Sequence, residues 1–193
     1  MRTNKNKQVG YNEWLRISLL RVSRAHFLFL IAYAAIIVIY DATKVLTPNM
    51  VLERWIAFAL TLAAVTVVWY LAHSKTASVA YLKQLTFLLI AAGVAMSAYN
   101  VYAQRGMASR AVMLFAIPII TSAIVLSRSA IFAVATFSAA AYVSAAILYS
   151  THNFNEGYKT ELYGEVGFYV AIFYTIASLL ATVIHFGNNS DSS

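Results

Sequence analysis

Apolar stretches separated by short polar turns run through almost the whole chain. An α-helix needs about 20 apolar residues to cross the hydrocarbon core of a bilayer, which is about 30 Å thick. Six stretches reach or approach that length, and we predict membrane spans at 26–46, 52–72, 79–101, 109–126, 130–149 and 166–186. The pattern therefore predicts an all-α, polytopic membrane protein, a bundle of six transmembrane helices over residues 26–186.

A different pattern precedes the first span. At 100° per residue, Leu15, Leu19 and Val22 share one helix face, while three arginines spread over the other. Residues 1–25 are therefore predicted to be a basic cytoplasmic tail and an amphipathic helix in the membrane interface. The alternative is that this segment is simply the basic flank of the first span. Residues 187–193 are predicted to be a short polar cytoplasmic tail.

Composition supports the membrane assignment and narrows the partners. The chain is 61% hydrophobic and only 11% charged, whereas a soluble domain is about a quarter charged. Its formal net charge of +7 is concentrated at the N-terminus, and no basic patch with exposed aromatics lies outside the predicted spans. An anionic lipid surface is therefore the predicted partner of this charge, and nucleic acid is not.

The lysines and arginines predict the orientation, because cytoplasmic loops carry an excess of them. Nine of the 14 fall on the side of the two termini: Arg2, Lys5, Lys7, Arg16, Arg21, Arg24, Lys75, Lys83 and Arg128. The other side has Lys44, Arg54, Arg105, Arg110 and Lys159, together with most of the acids. We therefore expect a multi-pass protein of the cell (inner or plasma) membrane with both termini in the cytoplasm.

No catalytic motif accompanies the spans. The chain has no cysteine, no glycine-rich phosphate loop and no serine elbow with a paired histidine. Its two aspartates, Asp41 and Asp191, fall on opposite sides of the predicted membrane, and His26 and His185 lie at the cytoplasmic boundary. We therefore predict that this chain is not an enzyme by itself, and we predict neither a cofactor nor a metal site.

The longest loop, residues 150–165, contains the most residues that could bind a ligand. With the first loop it could form an outward-facing acidic and aromatic cup for a cation or a small cationic ligand. The candidate ligand-binding residues are Asp41, Glu53, Arg110, His152, Glu156, Glu161, Tyr163 and Glu165. The alternative is a solvated hairpin whose carboxylates only balance the neighbouring basic side chains.

Two further features concern packing and movement. Pro118 stands in the middle of the fourth predicted span and is a candidate conformational hinge, because proline removes a helical hydrogen bond. Small residues four apart, Ala135/Ala139 and Ala140/Ser144, allow close helix approach. They favour a bundle or a homodimer.

Residues 109–149 read SRAVMLFAIPIITSAIVLSRSAIFAVATFSAAAYVSAAILY: a span with a central proline, a Leu-Ser-Arg turn, and a small-residue span ending in tyrosine. This pattern resembles the multi-pass N-terminal sensor regions of bacterial sensor histidine kinases, over about residues 109–186. The resemblance implies a two-component signal-transduction sensor that couples a stimulus to a cytoplasmic output through the last span. The kinase core itself is absent from the chain, which ends FGNNSDSS after His185.

Three functions remain open from the sequence. The first is a membrane-embedded sensor or anchor module, homo-oligomeric, whose output domain is missing or is supplied by a cytoplasmic kinase or another partner. The second is a small transporter or channel subunit with a path lined by Ser, Thr and Tyr hydroxyls. The third is a structural subunit of a larger membrane complex.

Overall fold

The protein is described from a computed structural model. It covers residues 2–74, 76–104, 106, 109–125, 127–153 and 159–190, with side chains for all of these except 2–9, 159–162 and 185–190. All regular structure in these residues is helical. The α-helices are α1 (Arg2–Ala42), α2 (Pro48–Ala72), α3 (Val79–Ala103), α4 (Ala116–Ser122), α5 (Arg128–Asn153) and α6 (Lys159–Ser190). Two 3₁₀ segments, Arg110–Phe115 and Ala123–Val125, flank α4.

Among the described residues, five helical segments are long and apolar enough to cross a membrane, as in a multi-pass membrane protein. They are Gly10–Ala42, Pro48–Ala72, Val79–Ala103, Arg128–Asn153 and Tyr163–Ile184. The predicted fourth span is a shorter apolar segment, Arg110–Val125, built from the two 3₁₀ segments and α4. Six membrane-spanning helices are predicted, and the described residues contain five helices of sufficient length.

The separate interfacial helix predicted at 11–25 is wrong, because α1 runs without a break from Arg2 through the first span. A single stripe of buried residues continues along it at spacings of three and four: Leu15, Leu19, Ser23, His26, Leu30, Tyr33 and Ile37. This is the spacing of a helix packed along one face. Residues 11–25 thus belong to the packed part of α1.

The chain divides into two compact units within α3, Met1–Leu89 and Ile90–Ser193. In the first unit, α1 and α2 form an antiparallel hairpin. Near the C-terminal end of α2 the rings of Phe27 and Trp69 meet edge to face at 6.3 Å. Near the N-terminal end of α1, Asn12 Nδ2 donates to Ala77 O at 3.0 Å, so α1 also holds the turn between α2 and α3.

In the second unit, α5 and α6 pack as neighbours, and the segment Arg110–Val125 packs against both. The core that they share with the end of α3 contains the buried residues Val94, Phe115, Ile119, Ile131, Tyr142, Phe173 and Ala177. Thr136 Oγ1 and Tyr174 Oη lie 2.8 Å apart and link α5 to α6.

Candidate functional site

Four aromatic rings meet in the core of the second unit and form what we call the aromatic cluster: Phe115, Tyr142, Tyr169 and Phe173. The Tyr142 ring is at the centre, 6.1 Å from Phe115, 5.7 Å from Tyr169 and 6.0 Å from Phe173 between centroids. Phe115 and Phe173 close the group at 5.5 Å. Rings at these separations attract one another beyond the area they bury.

Each ring is positioned by a different helical pattern. Phe115 ends the first 3₁₀ segment and is buried together with Ala111 and Val112. Tyr142 belongs to a buried stripe on α5 that includes Ser138 and Ala145. Tyr169 and Phe173 are four apart on α6 and so share one of its faces. The cluster therefore joins the irregular segment, α5 and α6 at one point.

Two hydroxyl groups within this core have no hydrogen-bond partner. Both Tyr142 and Ser138 are 0% exposed, and neither Tyr142 Oη nor Ser138 Oγ forms a hydrogen bond within the described residues. The neighbouring Thr136 instead donates to Phe132 O, four residues back, at 2.9 Å. An unsatisfied buried hydroxyl costs about 1–3 kcal/mol. These two hydroxyls therefore make the core less stable than one in which both are hydrogen-bonded.

Of the predicted cup, two residues lie in the first unit, and both are exposed. Asp41 Oδ1 is 3.8 Å from Lys44 Nζ in an exposed pair, and Glu53 lies in the second turn of α2. Asp41 thus has an exposed ion pair with a lysine of the adjoining turn, which contributes little to stability.

The other predicted residues lie in the second unit. Arg110 begins the first 3₁₀ segment, and His152 lies in the last turn of α5 with its Nδ1 2.7 Å from Leu148 O; both are exposed. Tyr163 and Glu165 are exposed near the start of α6. Within the described part of this unit, Arg110 forms no ion pair with Glu165.

Glu156 lies outside the described residues, and Glu161 is on α6 but its side chain is outside them. The cup as one binding site stays a prediction. In the described side chains, no three His, Asp or Glu residues come close enough together to hold a metal ion.

Pro118 is buried and lies in the first turn of α4, not in the middle of a long helix. The Cβ that would be added to Gly93 of α3 lies 3.7 Å from Pro118 Cβ, so the proline packs closely on that glycine. A proline in a first turn needs no N–H donor. The backbone irregularity therefore precedes Pro118, at the change from 3₁₀ to α winding, and the hinge role stays a prediction.

Sequence reasoning missed Arg54, the only buried lysine or arginine among the described side chains. It is 3% exposed, although it was expected at the membrane surface. The signal was its register, because it falls on the buried stripe of α2 with Val51, Thr61, Val65 and Val68. A cation at a packing position of a transmembrane hairpin is unusual.

No family model matches the sequence, and no curated protein or solved structure matches it significantly. Any function must therefore be argued from the aromatic cluster, the buried polar groups and the helices that carry them.

Proposed function

We propose that the protein is a membrane-embedded sensor module of a bacterial signal-transduction system, with α6 as the helix that passes the stimulus to a cytoplasmic output. The observation that supports this is the aromatic cluster, where α6 meets the irregular segment around two unpartnered hydroxyls. An arrangement that satisfies the hydroxyls of Tyr142 and Ser138 would be favoured over one that leaves them unpaired. A stimulus that binds one arrangement more tightly shifts the population toward it.

The shape of α6 suits such a transmitting role. The helix runs from Lys159 to Ser190 and is therefore about 48 Å long, well beyond the hydrocarbon core. Below Phe173, its buried face consists of Ala177 and Ala181. Alanines present a smooth surface, over which α6 can shift along its neighbour with little steric resistance. A displacement at the aromatic cluster would thus reach the end of α6.

The transporter alternative has less support. Its path would be lined by free polar groups, but several buried ones bond to their own helix: Ser97 to Gly93 O at 2.8 Å, Asn100 to Met96 O at 2.9 Å, and Ser122 to Ile119 O at 2.6 Å. Groups satisfied in this way are not available to replace the hydration shell of a solute.

We further propose six membrane crossings, with both termini in the cytoplasm of a cell-membrane protein. The 3₁₀ rise is about 2.0 Å per residue against 1.5 Å in an α-helix, so Arg110–Val125 extends about 28 Å where a regular α-helix would reach about 24 Å. That is close to the thickness of the hydrocarbon core. Topology reporters fused at the two ends should both report the cytoplasm, and reporters on opposite faces would contradict this arrangement.

The proposed module is a homodimer that uses the exposed small residues of α5. Ala140 and Ser144 are exposed, whereas Ala135 and Ala139 are already buried within the unit. A cysteine at Ala140 should give a disulfide-linked dimer in the membrane, and a cysteine at the buried Ala135 should not. Equal cross-linking at both positions, or none at Ala140, would count against this dimer.

The transmission itself is tested by pulsed EPR distances in nanodiscs. The chain has no cysteine, so spin labels at the exposed Met113 and Val183, in the irregular segment and on α6, would be the only ones present. Tyr142→Phe combined with Ser138→Ala removes both unpartnered hydroxyls and should shift the populations of the Met113–Val183 distance. Ser129→Ala, at an exposed serine in the first turn of α5, is the matched control and should leave them unchanged.

An identical distance distribution in the double variant and the wild type would contradict transmission from the aromatic cluster to α6. Solute flux through reconstituted vesicles would then move the transporter alternative ahead of the sensor.

A further inference from the structure

Arg54 is a buried cation whose guanidinium lacks the hydrogen bonds and the ion pair that a buried charge usually has. Its guanidinium carbon lies 5.4 Å from the centroid of the Tyr40 ring, which offers a favourable cation–π contact. Nη1, however, is buried and forms no hydrogen bond within the described residues. A guanidinium carries five N–H donors, and a buried charge is stable only when it is paired and hydrogen-bonded.

The carboxylates of the same hairpin do not fill this need. Asp41 and Glu53 are both exposed, and neither carboxylate lies within ion-pair distance of the guanidinium. Within the described side chains, Arg54 forms no ion pair. Within the described residues, the positive charge of Arg54 therefore faces the Tyr40 ring and is balanced by no carboxylate.

The position of Arg54 along the hairpin indicates which anion can reach it. Arg54 is about 9 Å along α2 from Pro48, and helix side chains tilt toward the N-terminus, so its guanidinium reaches back toward the end of the hairpin. The adjacent Trp55 is partly exposed, as tryptophans are at the headgroup level of a bilayer. This is the depth at which lipid phosphates lie.

A second cation stands at the same end of the hairpin. The α1–α2 turn folds back on Tyr40, because Val45 N donates to Tyr40 O at 3.1 Å. Lys44 in this turn has an exposed side chain, and its pair with Asp41 is exposed and so worth little, which leaves the ammonium available. The positive end of the α2 dipole also lies at this end of the hairpin, although Thr47 already caps the N–H groups of Met50 and Val51.

We propose that the end of the α1–α2 hairpin binds the phosphate of an anionic phospholipid, with Arg54 as the hydrogen-bonding anchor and Lys44 as the second positive charge. Arginine suits this role because its planar fork can hold two phosphate oxygens at once, whereas lysine acts as a point charge. The site would fix this end of the hairpin at the headgroup level.

The test compares the full chain in nanodiscs of phosphatidylcholine alone and with added phosphatidylglycerol, and counts retained lipids by native mass spectrometry. The wild type should keep phosphatidylglycerol in preference to phosphatidylcholine. Arg54→Gln should weaken that preference at least about tenfold, because charged hydrogen bonds are lost. Arg54→Lys should restore part of it, and Arg128→Gln, at the exposed arginine that begins α5, should change nothing.

Lys44→Gln guards against a folding defect, because this side chain is exposed and its loss cannot disturb the core. It should weaken the preference about threefold, as expected for a screened surface charge. If both Arg54→Gln and Lys44→Gln retain the wild-type preference, the proposal is overturned.

Two further outcomes decide the source of the anion. If inorganic phosphate in phosphatidylcholine nanodiscs displaces phosphatidylglycerol and stabilises the wild type equally well, the site takes a free anion and the lipid assignment is wrong. If Arg54→Gln changes the oligomeric state without altering lipid retention, the guanidinium pairs with a carboxylate of a second copy, which also overturns the proposal.

Discussion

Gly106 lies against the ring of Tyr149 so closely that an added Cβ would stand 2.7 Å from Tyr149 Cδ1 and 2.9 Å from its Cβ. Gly106 also has a φ of +60°, a left-handed conformation that residues with a Cβ rarely adopt. Both facts make this position, after the end of α3, specific for glycine.

We predict that Gly106→Ala lowers the free energy of unfolding by at least about 2 kcal/mol. The left-handed conformation alone costs about 1–2 kcal/mol with a side chain, and the clash with Tyr149 adds to it. Thermal unfolding in one fixed detergent measures the loss. Gly93→Ala is the matched control, because its Cβ would meet Pro118 at an ordinary 3.7 Å. A similar loss in both variants would mean that the close approach of Tyr149 is not the cause.

The hydroxyl of Tyr142 contributes no hydrogen bond, so we predict that Tyr142→Phe leaves stability unchanged or raises it by up to about 1 kcal/mol. Tyr142→Ala removes the central ring of the aromatic cluster and should cost about 3–5 kcal/mol. Both are measured by chemical unfolding in the same mixed micelles. If Tyr142→Phe costs more than about 1 kcal/mol, the hydroxyl has a partner that stabilises the fold, and the argument from unpartnered hydroxyls fails.

Much of the membrane architecture could be read from the sequence, because apolar length alone decides whether a helix can span a bilayer. The errors arose where packing decides. Leu15 and Leu19 were assigned to an interfacial face, yet they begin a buried stripe that continues through Ser23 and His26. A pattern of apolar residues alone does not reveal such a stripe, because polar residues occupy some of its buried positions. For this reason the sequence predicts a separate interfacial helix where α1 is continuous.

The candidate sites show the same limit. Loop carboxylates such as Glu165 are easily found, but whether they converge depends on tertiary structure that spacing does not contain. Arg54 was counted only as a surface charge, because its burial depends on contacts with Tyr40 across the hairpin. Pro118 did signal an irregularity, but its first-turn position could not be predicted without the 3₁₀ winding that precedes it.

The hydrogen bond between Thr136 and Tyr174 joins α5 to α6 on an exposed face of the pair. Such interhelical bonds contribute about 0.6 kcal/mol on average and up to about 1.7. We predict that Tyr174→Phe and Thr136→Val each lower stability by about this amount and that the double variant loses little more than either one. A double-mutant cycle in micelles measures the coupling, and full additivity of the two losses would show that the hydroxyls do not interact.

Lys44 occupies the left-handed position that glycine usually takes after a helix. Its φ is 55°, Val45 N donates to Tyr40 O at 3.1 Å, and Lys44 N donates to Asp41 O at 3.1 Å, which together make a Schellman motif at the end of α1. We predict that Lys44→Gly raises the free energy of unfolding by about 1 kcal/mol in lipid-free detergent, where Lys44 has no phospholipid headgroup to contact. Lys44→Ala removes the same charge but keeps a Cβ, so it should bring no such gain. Equal stabilisation by both substitutions would attribute the effect to the lost charge and not to the backbone conformation.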